Sequence, residues 1–474
     1  MNTKSLKQKI LDLAIRGKLV PQDPNDEPAS VLLQRIRAER EQLIAQGKIK
    51  RSKTTSDNQH YENVPFEIPA SWEWVRLEDV VMAVTDGDHQ PPPQASEGVP
   101  FLVISDVNTG RINFNNARFV SKSYYDSLPW IKKATEGDIL FTVTGSYGIV
   151  INVDTQREFC FQRHIGLIKT ILCSRWLTIA LQSQYVKQYC DDIATGTAQK
   201  TVSLGFLRAL CIPIPPLAEQ ERIVNEIEQW FKCIDEIEKE TTALQDIARQ
   251  TKSKVLSLAI SGKLVPQEPT DEPAIELLKR INLAFKPCDT SHYENLPQGW
   301  SECKVDAIAD VISGVSYDKS DIKESGLKIL RGGNVQDGKI VEQDDDVYIS
   351  EKYINDSNTV KQGDIILVAS TGSKTLIGKT GFAEKTYHNT QIGAFLRIIR
   401  AKDLSLCEYL NFIFLSESFK KHIRQLASGT NINNVKNKYI TEFVLALPPK
   451  NEIPRIIKKV NDIFAQIDNI TAEL

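Results

Sequence analysis

One sequence occurs twice in this chain, and this repeat constrains the fold more than any other feature. Residues 11–36 read LDLAIRGKLVPQDPNDEPASVLLQRI, and residues 256–281 read LSLAISGKLVPQEPTDEPAIELLKRI. The two segments lie 245 residues apart and are identical at 19 of 26 positions, which excludes coincidence. The chain is therefore an internal duplication, and a duplicated chain tends to present two similar surfaces related by a pseudo-two-fold axis.

A long helix is predicted to precede the second copy of the repeat. Between residues 217 and 260, apolar or small residues are spaced alternately four and three residues apart, as in a coiled-coil seam. Residues 453–474 carry the first half of this pattern and residues 6–13 the second half. We therefore expect the two terminal helices to pack antiparallel on the central helix and bury all three seams. Because proline occupies position 454, the last helix is expected to begin near Arg455.

Turn signals follow each long helix in the same order. Gly17 and Gly262 occupy the position of a helix C-cap, and prolines then impose an extended turn. Asp26 and Asp271 are expected to cap the next helix, which has a proline in its first turn. Two globular segments of mixed α/β pattern, about 60–215 and 292–449, lie between the helices. We align EGDILFTVTGS with QGDIILVASTGS and FQRHIG (161–166) with NTQIGA (389–394) as equivalent parts of these segments.

Composition excludes several classes of protein. The net charge of −3 gives no sign of a polyanionic partner. No apolar run approaches the roughly 20 residues of a membrane helix, and the N-terminus is too polar for a signal peptide. The eight cysteines are scattered without a CxxC pair, which favours reduced, buried thiols over disulfides or a zinc site. We therefore expect a cytoplasmic protein that binds no membrane and no metal.

An enzyme, such as a fused methyltransferase or nuclease, is one alternative. An adenine methyltransferase needs Asn/Asp-Pro-Pro-Tyr/Phe to hold a flipped base, and the Pro-Pro pairs of this chain have other neighbours. The segment TGSKTLIGKT (371–380) ends like a phosphate-binding loop, but Gly372 is one residue too early for that motif. The sequence therefore predicts a chain without catalytic residues.

Four segments give the chain a family resemblance. They are GKLVPQDPNDEPA near the N-terminus, the paired TGS loops, IPIPPLAEQERIV (212–224) and SGTNINNVKNKYI (428–440). In these segments and in their order, the chain resembles the DNA-specificity subunit of type I restriction–modification enzymes. The resemblance covers essentially the whole chain.

The resemblance implies an α+β fold with two homologous mixed α/β target-recognition domains, separated by long antiparallel coiled-coil helices in an internal pseudo-two-fold duplication. The expected parts are an N-terminal helical region (1–58), recognition domain 1 (59–215), a central helix with the helical repeat (216–290), recognition domain 2 (291–449) and a C-terminal helix (450–474).

The same resemblance implies a non-catalytic subunit that recognises a bipartite site in double-stranded DNA. Its expected partners are two methyltransferase subunits and two restriction subunits, which would be directed to that site. The subunit itself would need no cofactor, since S-adenosylmethionine, Mg²⁺ and ATP are expected only in the partner subunits. A second alternative is a coiled-coil scaffold that binds two protein partners without DNA.

Candidate DNA contacts are polar residues in loops shared by the two globular segments, because sequence is read by hydrogen-bonding side chains at base edges. In the first segment they are Asp88, His89, Gln90, Thr144, Ser146, Tyr147, Gln162, Arg163, His164, Thr197, Gln199 and Lys200. In the second they are Tyr317, Lys319, Arg331, Asn334, Ser370, Thr371, Ser373, Lys374, Asn389, Gln391, Asn431, Asn433, Asn434 and Lys436. Candidate partner contacts on the repeats and the central helix are Lys18, Leu19, Val20, Lys263, Leu264, Val265, Ile227 and Ile234.

Overall fold

A computed structural model gives the architecture of the chain. It describes residues 2–49, 64–90, 92–196, 200–288, 292–293, 295–336, 338–372, 376–426 and 433–472. The chain forms two compact units, Met1–Glu240 (unit 1) and Thr241–Leu474 (unit 2). None of the helices within the described ranges combines the length and the apolar character needed to cross a membrane.

Unit 1 combines helices with short strands. Its helices are α1 (Thr3–Ile15), α2 (Ala29–Ala45), α3 (Lys122–Ser127), α4 (Ser174–Leu181), α5 (Gln184–Ile193), α6 (Leu204–Ala209) and the first part of α7 (Leu217–Ile260). Its strands are β1 (Glu73–Arg76), β2 (Val81–Asp86), β3 (Val99–Leu102), β4 (Arg118–Val120), β5 (Ile139–Thr142), β6 (Val150–Asn152), β7 (Cys160–Phe161), β8 (Ile165–Thr170) and β9 (Cys211–Ile214).

Unit 2 contains the rest of α7 and a comparable set of elements. Its further helices are α8 (Ala274–Ile281), α9 (Val305–Ile308), α10 (Cys407–Leu415), α11 (Glu417–Leu426), α12 (Asn437–Thr441) and α13 (Glu452–Ala472). Its strands are β10 (Ser301–Lys304), β11 (Ala309–Ser313), β12 (Ile322–Lys323), β13 (Leu327–Leu330), β14 (Val335–Gln336), β15 (Gly338–Ile340), β16 (Val347–Ile349), β17 (Ile365–Val368), β18 (Ser370–Thr371), β19 (Thr380–Phe382), β20 (Thr390–Ile392), β21 (Leu396–Ala401), β22 (Asn433–Asn434) and β23 (Val444–Leu447).

The two units repeat one sheet topology. An antiparallel sheet has the order β2-β8-β5-β6 in unit 1, and unit 2 has the same arrangement as β11-β21-β17-β19, extended by β15 and β14. A second sheet pairs β3 with β7 in parallel, and β13 with β20 in parallel in unit 2. A two-stranded ribbon, β1-β9 or β10-β23, closes each α/β part. The predicted α+β fold with an internal duplication is confirmed.

The helices pack antiparallel within each unit, as predicted. In unit 1 the ammonium of Lys7 lies 2.6 Å from the carboxylate of Asp235 and 6.0 Å from the ring of Phe231, both on α7. In unit 2 the ammonium of Lys252 on α7 makes the equivalent contacts, with Asp468 and Phe464 of α13. These two clusters occupy equivalent positions in the duplication, so the same ion pair occurs twice where the helices pack.

The predicted helix Leu217–Ile260 is confirmed at both ends, but its seam is buried only near them. Ile223 and Val255 are buried, whereas Ile237 and Leu244 are 43% and 45% exposed. The physical reason is length, since α1 and α13 span 13 and 21 residues against the 44 of α7. The expectation that the terminal helices bury the whole seam was wrong for its middle third.

A buried glutamate at the start of α7 joins three segments of unit 1. Glu219 accepts hydrogen bonds from the indole of Trp72 at 2.9 Å and from the amide of Gln22 at 2.5 Å. Burial raises the pKa of Glu219, and these hydrogen bonds offset the rise only in part. Gly17 is required nearby because its φ is +64° and an added Cβ would lie 2.4 Å from the ring of Pro69. The repeat loop, the α/β part and the long helix therefore meet at one carboxylate.

Unit 2 contains the same junction at the start of α13. Glu452 accepts hydrogen bonds from Trp300 at 2.9 Å and from Gln267 at 3.1 Å, and burial raises its pKa as well. Gly262 has a φ of +68° and lies against Pro297. The predicted glycine C-caps are confirmed by these conformations.

Two local predictions were wrong. Asp26 and Asp271 do not cap the next helix, because each carboxylate binds an arginine, Arg222 or Arg455, and the arginine bond holds the pKa of Asp26 below its usual value. Helix α13 begins at Glu452 and not near Arg455. Proline is tolerated within a first helical turn, where the backbone N–H has no intrahelical partner.

The eight cysteines are free thiols. Cys160, Cys190, Cys303 and Cys407 are buried, as predicted, but Cys233 is exposed on α7. Burial raises the pKa of Cys160 and Cys190 to about 12, so these thiols stay protonated near neutral pH.

Candidate nucleic-acid interface

Four loops of unit 1 meet at one edge of the α/β part. The loop after β5 makes two backbone hydrogen bonds to its neighbours, from Val143 N to His164 O at 2.9 Å and from Gly145 N to Lys200 O at 3.0 Å. A parallel bridge between residues 88 and 162 adds the loop after β2. We call this set the loop edge of unit 1, and it comprises residues 87–90, 143–147, 162–164, 194–196 and 200–201.

The equivalent four loops meet in unit 2. Ala369 N donates to Phe395 O at 2.9 Å, and Val435 N donates to Ala369 O at 2.7 Å. Val315 pairs with Gly393 and brings in the loop after β11. The loop edge of unit 2 comprises residues 314–317, 369–372, 393–395 and 433–436. The duplication therefore places the same four loops side by side in both units.

Gly87 follows β2 and Gly314 follows β11. They allow these two loops to approach the turn before β8 in unit 1 and the turn before β21 in unit 2. A Cβ on Gly87 would lie 1.9 Å from the carbonyl oxygen of Phe161, and one on Gly314 would lie 2.1 Å from that of Gly393. Only glycine permits this backbone approach, and no sequence pattern marks these two glycines among the others.

The structure corrects the alignment between the turn before β8 in unit 1 and the turn before β21 in unit 2. Gln162 N donates to Leu102 O, and the equivalent bond in unit 2 runs from Gly393 N to Leu330 O. FQRHIG (161–166) therefore matches IGAFLR (392–397), and the earlier pairing with NTQIGA was displaced by three residues. In consequence, His164 of unit 1 occupies the position of Phe395 in unit 2.

Asp88 has intramolecular partners at the loop edge of unit 1. Its carboxylate binds the Lys132 ammonium at 2.7 Å and the Tyr124 hydroxyl. Partial burial alone would raise the pKa of Asp88, but these two partners lower it. Asp88 therefore stays ionised, while His89 and Gln90 beside it are exposed.

The other described candidates of unit 1 also lie on its loop edge. Ser146, Arg163 and Lys200 are exposed, while Gln162 and Tyr147 are half-buried, and Thr144 is 9% exposed. Partial burial and the neighbouring Arg163 charge lower the pKa of His164, which keeps the imidazole neutral near pH 7. The edge thus offers amide, hydroxyl, imidazole and guanidinium groups to a ligand.

Asn334 and Gln391 have structural roles that contradict their prediction as DNA contacts. Asn334 is 1% exposed, accepts a hydrogen bond from Arg331 N at 2.8 Å and donates to Val341 O at 3.1 Å. Gln391 is fully buried within β20 and donates to Asn355 O at 3.0 Å. Asn389 is exposed, but it precedes β20, whereas the loop edge follows that strand.

The remaining described candidates of unit 2 are divided between the loop edge and other places. Ser370 and Thr371 pair with residues 434 and 433 as a two-stranded ribbon on the edge, where Asn434 and Lys436 are exposed. Arg331 follows β13 and binds Asp345 at 2.6 Å. Tyr317 is half-buried against the apolar cluster of β13 and β16, and Lys319 is exposed on the turn that follows.

Five candidate DNA contacts lie outside the described residues: Thr197, Gln199, Ser373, Lys374 and Asn431.

Two residues, Phe395 on the loop edge of unit 2 and Arg397 beside it on β21, were not among the polar loop residues chosen as candidates. Arg397 on β21 donates to the amide oxygen of Asn437 at 2.6 Å and to the carbonyl of Ala394 at 2.8 Å. Burial lowers the pKa of Arg397, although the guanidinium remains charged at neutral pH. Phe395, at the corner of the turn, is 67% exposed. No sequence signal distinguishes an exposed phenylalanine from a core one.

The predicted partner contacts divide by exposure. Lys18 and Lys263 are exposed at the two repeat loops, and Leu19, Val20, Leu264 and Val265 are half-buried beneath them. Ile227 and Ile234 are 3% and 1% exposed in the core of unit 1. Their side chains pack within this chain, which contradicts their prediction as partner contacts.

No group of three or more metal-ligating side chains is present in the part of the chain that the structure describes.

Comparisons with known proteins extend these observations. The family model described as the type I restriction modification DNA specificity domain matches residues 69–245 and 297–474. The EcoAI type I restriction enzyme specificity subunit of Escherichia coli is 28% identical over 97% of this chain and 89% of its own length. The EcoEI specificity subunit of Escherichia coli is 29% identical over 99% of this chain and 90% of its own.

One solved structure agrees with the architecture. It concerns the assembly and conformational transition of the type I restriction–modification system, and one of its chains aligns with a TM-score of 0.57. The alignment covers 86% of this chain and 94% of that chain at 18% identity, which is evidence about the fold alone.

Proposed function

The chain belongs to the family of type I restriction–modification DNA-specificity subunits, and from this premise we propose that each of its two units reads one half of a bipartite site in double-stranded DNA. Its role is DNA sequence specificity. The observation that supports a bipartite site is the duplicated loop edge, because the same arrangement of four loops occurs in each unit. A site with two separate halves suits such a pair of surfaces.

The two loop edges differ where base readout is expected. Unit 1 presents Gln162, Arg163 and His164 on the turn before β8, and unit 2 presents Gly393, Ala394 and Phe395. Arginine and glutamine donate hydrogen bonds to the major-groove edges of guanine and adenine, and these donors have no counterpart in the turn of unit 2. The two half-sites are therefore expected to differ in sequence.

The remaining assignments of this proposal concern partners and chemistry. The two exposed repeat loops around Lys18 and Lys263 are the proposed docking points for two methyltransferase subunits, with two restriction subunits joining the complex. S-adenosylmethionine, Mg²⁺ and ATP would serve those partners, and this chain would catalyse no reaction. The proposed recognition domains keep the boundaries 59–215 and 291–449.

Arg163→Ala tests the reading of one half-site. Because Arg163 is exposed on a hydrogen-bonded turn, its loss should weaken binding to the cognate site by about 1–3 kcal/mol and relax specificity at one position of one half-site. Competition binding of the full chain with its methyltransferase partner, against duplexes changed one base pair at a time, measures this effect.

Arg157→Ala is the matched control for that measurement. Arg157 is exposed in unit 1 but precedes β7, away from the turn that follows that strand, so its loss should leave the specificity profile unchanged. Equal profiles for the wild-type chain and both variants would refute readout by this turn. A complex that assembles normally but shows no sequence-dependent DNA binding would favour the scaffold alternative, in which the chain joins two protein partners without DNA.

A further inference from the structure

We propose that Phe395 is a specificity-determining residue of unit 2 that contacts the methyl group of a thymine in the major groove. The inference rests on the proposed function, since it presumes that the loop edge of unit 2 meets DNA. Its basis is the position, the exposure and the rigid support of this one side chain.

The position of Phe395 is at the centre of the loop edge. Its carbonyl oxygen accepts hydrogen bonds from Ala369 N at 2.9 Å and Ser370 N at 3.1 Å, so the turn is joined directly to the loop after β17. The equivalent carbonyl in unit 1 is that of His164, which accepts from Val143 N. Each unit therefore directs one ring-bearing side chain from the same point of its loop edge.

The turn that carries Phe395 is fixed on both sides. The Arg397 guanidinium donates to the carbonyls of Ala394 at 2.8 Å and Leu396 at 2.7 Å, and Leu396 N donates to Gly393 O at 2.9 Å. Side chains on such a supported turn are held close to one geometry, which a specific contact needs. The exposure of Phe395 is therefore a property of an ordered turn.

The exposure itself has an energetic consequence. Phe395 is 67% exposed, more than Trp230 at 47% or Phe206 at 45%, which are also exposed aromatic residues. Leaving a phenylalanine in water forgoes most of the free energy that its burial would contribute. Single exposed apolar residues are common, but this one stands among Ser370, Thr371 and Asn434, on the surface proposed to read bases.

The chemistry of the major groove indicates the ligand. Three of the four bases present only donors and acceptors there, whereas thymine adds a methyl group, which phenylalanine contacts favourably. Insertion between base pairs is the other use of an exposed aromatic residue, but it requires the DNA to unstack and bend. Contact with the methyl group requires no deformation, so the structure favours it for a single aromatic residue on a polar edge.

Deoxyuridine substitution isolates the proposed contact, because it removes the thymine methyl group and leaves the base pairing intact. The full chain is co-expressed with its methyltransferase partner, and the target is read from the methylated sites. Each thymine in the half-site of unit 2 is then replaced singly by deoxyuridine. We expect one replacement to weaken wild-type binding about fourfold, the equivalent of one buried methyl group at about 0.8 kcal/mol.

Phe395→Ala should bind the thymine and deoxyuridine duplexes equally well, and Phe395→Leu should retain part of the preference for thymine. His164→Ala is the matched control, since it alters the equivalent position of unit 1 and should leave this preference unchanged. No thymine preference in the wild-type chain, or an undiminished preference in Phe395→Ala, would overturn the inference.

The proposed function is judged separately in the same experiment. A wild-type complex that methylates a split site while Phe395→Ala behaves like wild type refutes only the role of Phe395. A wild-type complex without any sequence-specific binding refutes the proposed function itself.

Discussion

Asp364→Ala is expected to lower the free energy of unfolding of unit 2 by about 3–5 kcal/mol, because it removes a buried carboxylate and leaves the partly buried Arg400 guanidinium without its counter-charge. Arg400 binds both carboxylate oxygens of Asp364, at 2.8 and 2.7 Å, and Asp364 is 1% exposed. Unit 1 has the same buried pair as Asp138 and Lys169, 2.6 Å apart. Asp138 and Asp364 directly precede β5 and β17, and each of these strands leads into the loop edge of its unit. The pair therefore holds the sheet that carries the loop edge.

Hydrogen exchange of the full chain, followed by mass spectrometry, measures the effect unit by unit. Peptides from β17 and β21 should exchange over a hundredfold faster in Asp364→Ala, since 1.4 kcal/mol corresponds to about a factor of ten. Peptides from β5 and β8 should respond in the same way to Asp138→Ala.

Two further variants show whether the buried charge is the cause. Asp364→Leu combined with Arg400→Met should recover much of the loss, since neither charge is then left unpaired. Asp246→Ala, which removes a surface ion pair with Arg249, should change stability by about 0–1 kcal/mol. If Asp364→Ala behaved like Asp246→Ala, the buried pair would not stabilise the sheet.

Trp300→Ala is expected to destabilise unit 2 by about 3–5 kcal/mol, the usual cost of truncating a buried tryptophan. Trp300 is 7% exposed, packs beside Gly262 and donates its indole N–H to the buried carboxylate of Glu452. The loss should therefore loosen the repeat loop and the start of α13 together. Hydrogen exchange in residues 259–281 and 452–460 measures both, and Trp72→Ala should do the same in unit 1.

The role of the indole N–H is separable from that of the ring. Trp300→Phe keeps an aromatic ring but removes one hydrogen-bond donor to Glu452. It should lower the free energy of unfolding of unit 2 by about 1–3 kcal/mol. Trp230→Ala is the control, because Trp230 is 47% exposed on α7 and its truncation should change the free energy of unfolding by no more than about 0.5 kcal/mol. If hydrogen-exchange protection of the repeat loop were unchanged in Trp300→Ala, Trp300 and Glu452 would not join that loop to the start of α13.

The long helix and the duplication were predictable because their signals extend over many residues. The alternating spacing of apolar residues from 217 to 260 predicts both ends of α7 correctly, because few structures other than a long helix produce so long a pattern. The burial of the seam could not be read from the same pattern, because it depends on how far α1 and α13 extend. Ile237 and Leu244 obey the coiled-coil spacing and still face water.

The loop edges were predictable as regions but not residue by residue. A buried amide and an exposed one look alike in a sequence, so Asn334 and Gln391 were grouped with Asn434, although they stabilise the fold. The turns at 162–164 and 393–395 are too short to fix their own alignment, and only the backbone hydrogen bonds reveal that they are equivalent. Phe395 was not a candidate, because only polar side chains were considered for base readout.

We propose that this chain gives its complex a split DNA target, one half from each unit. The most direct measurement is the methylome of a host that carries the chain with its methyltransferase partner, compared with a host that lacks the chain. We expect a bipartite motif that is methylated in both halves only when the chain is present. An unchanged methylome, with native mass spectrometry showing two methyltransferase subunits assembled on the chain, would contradict it.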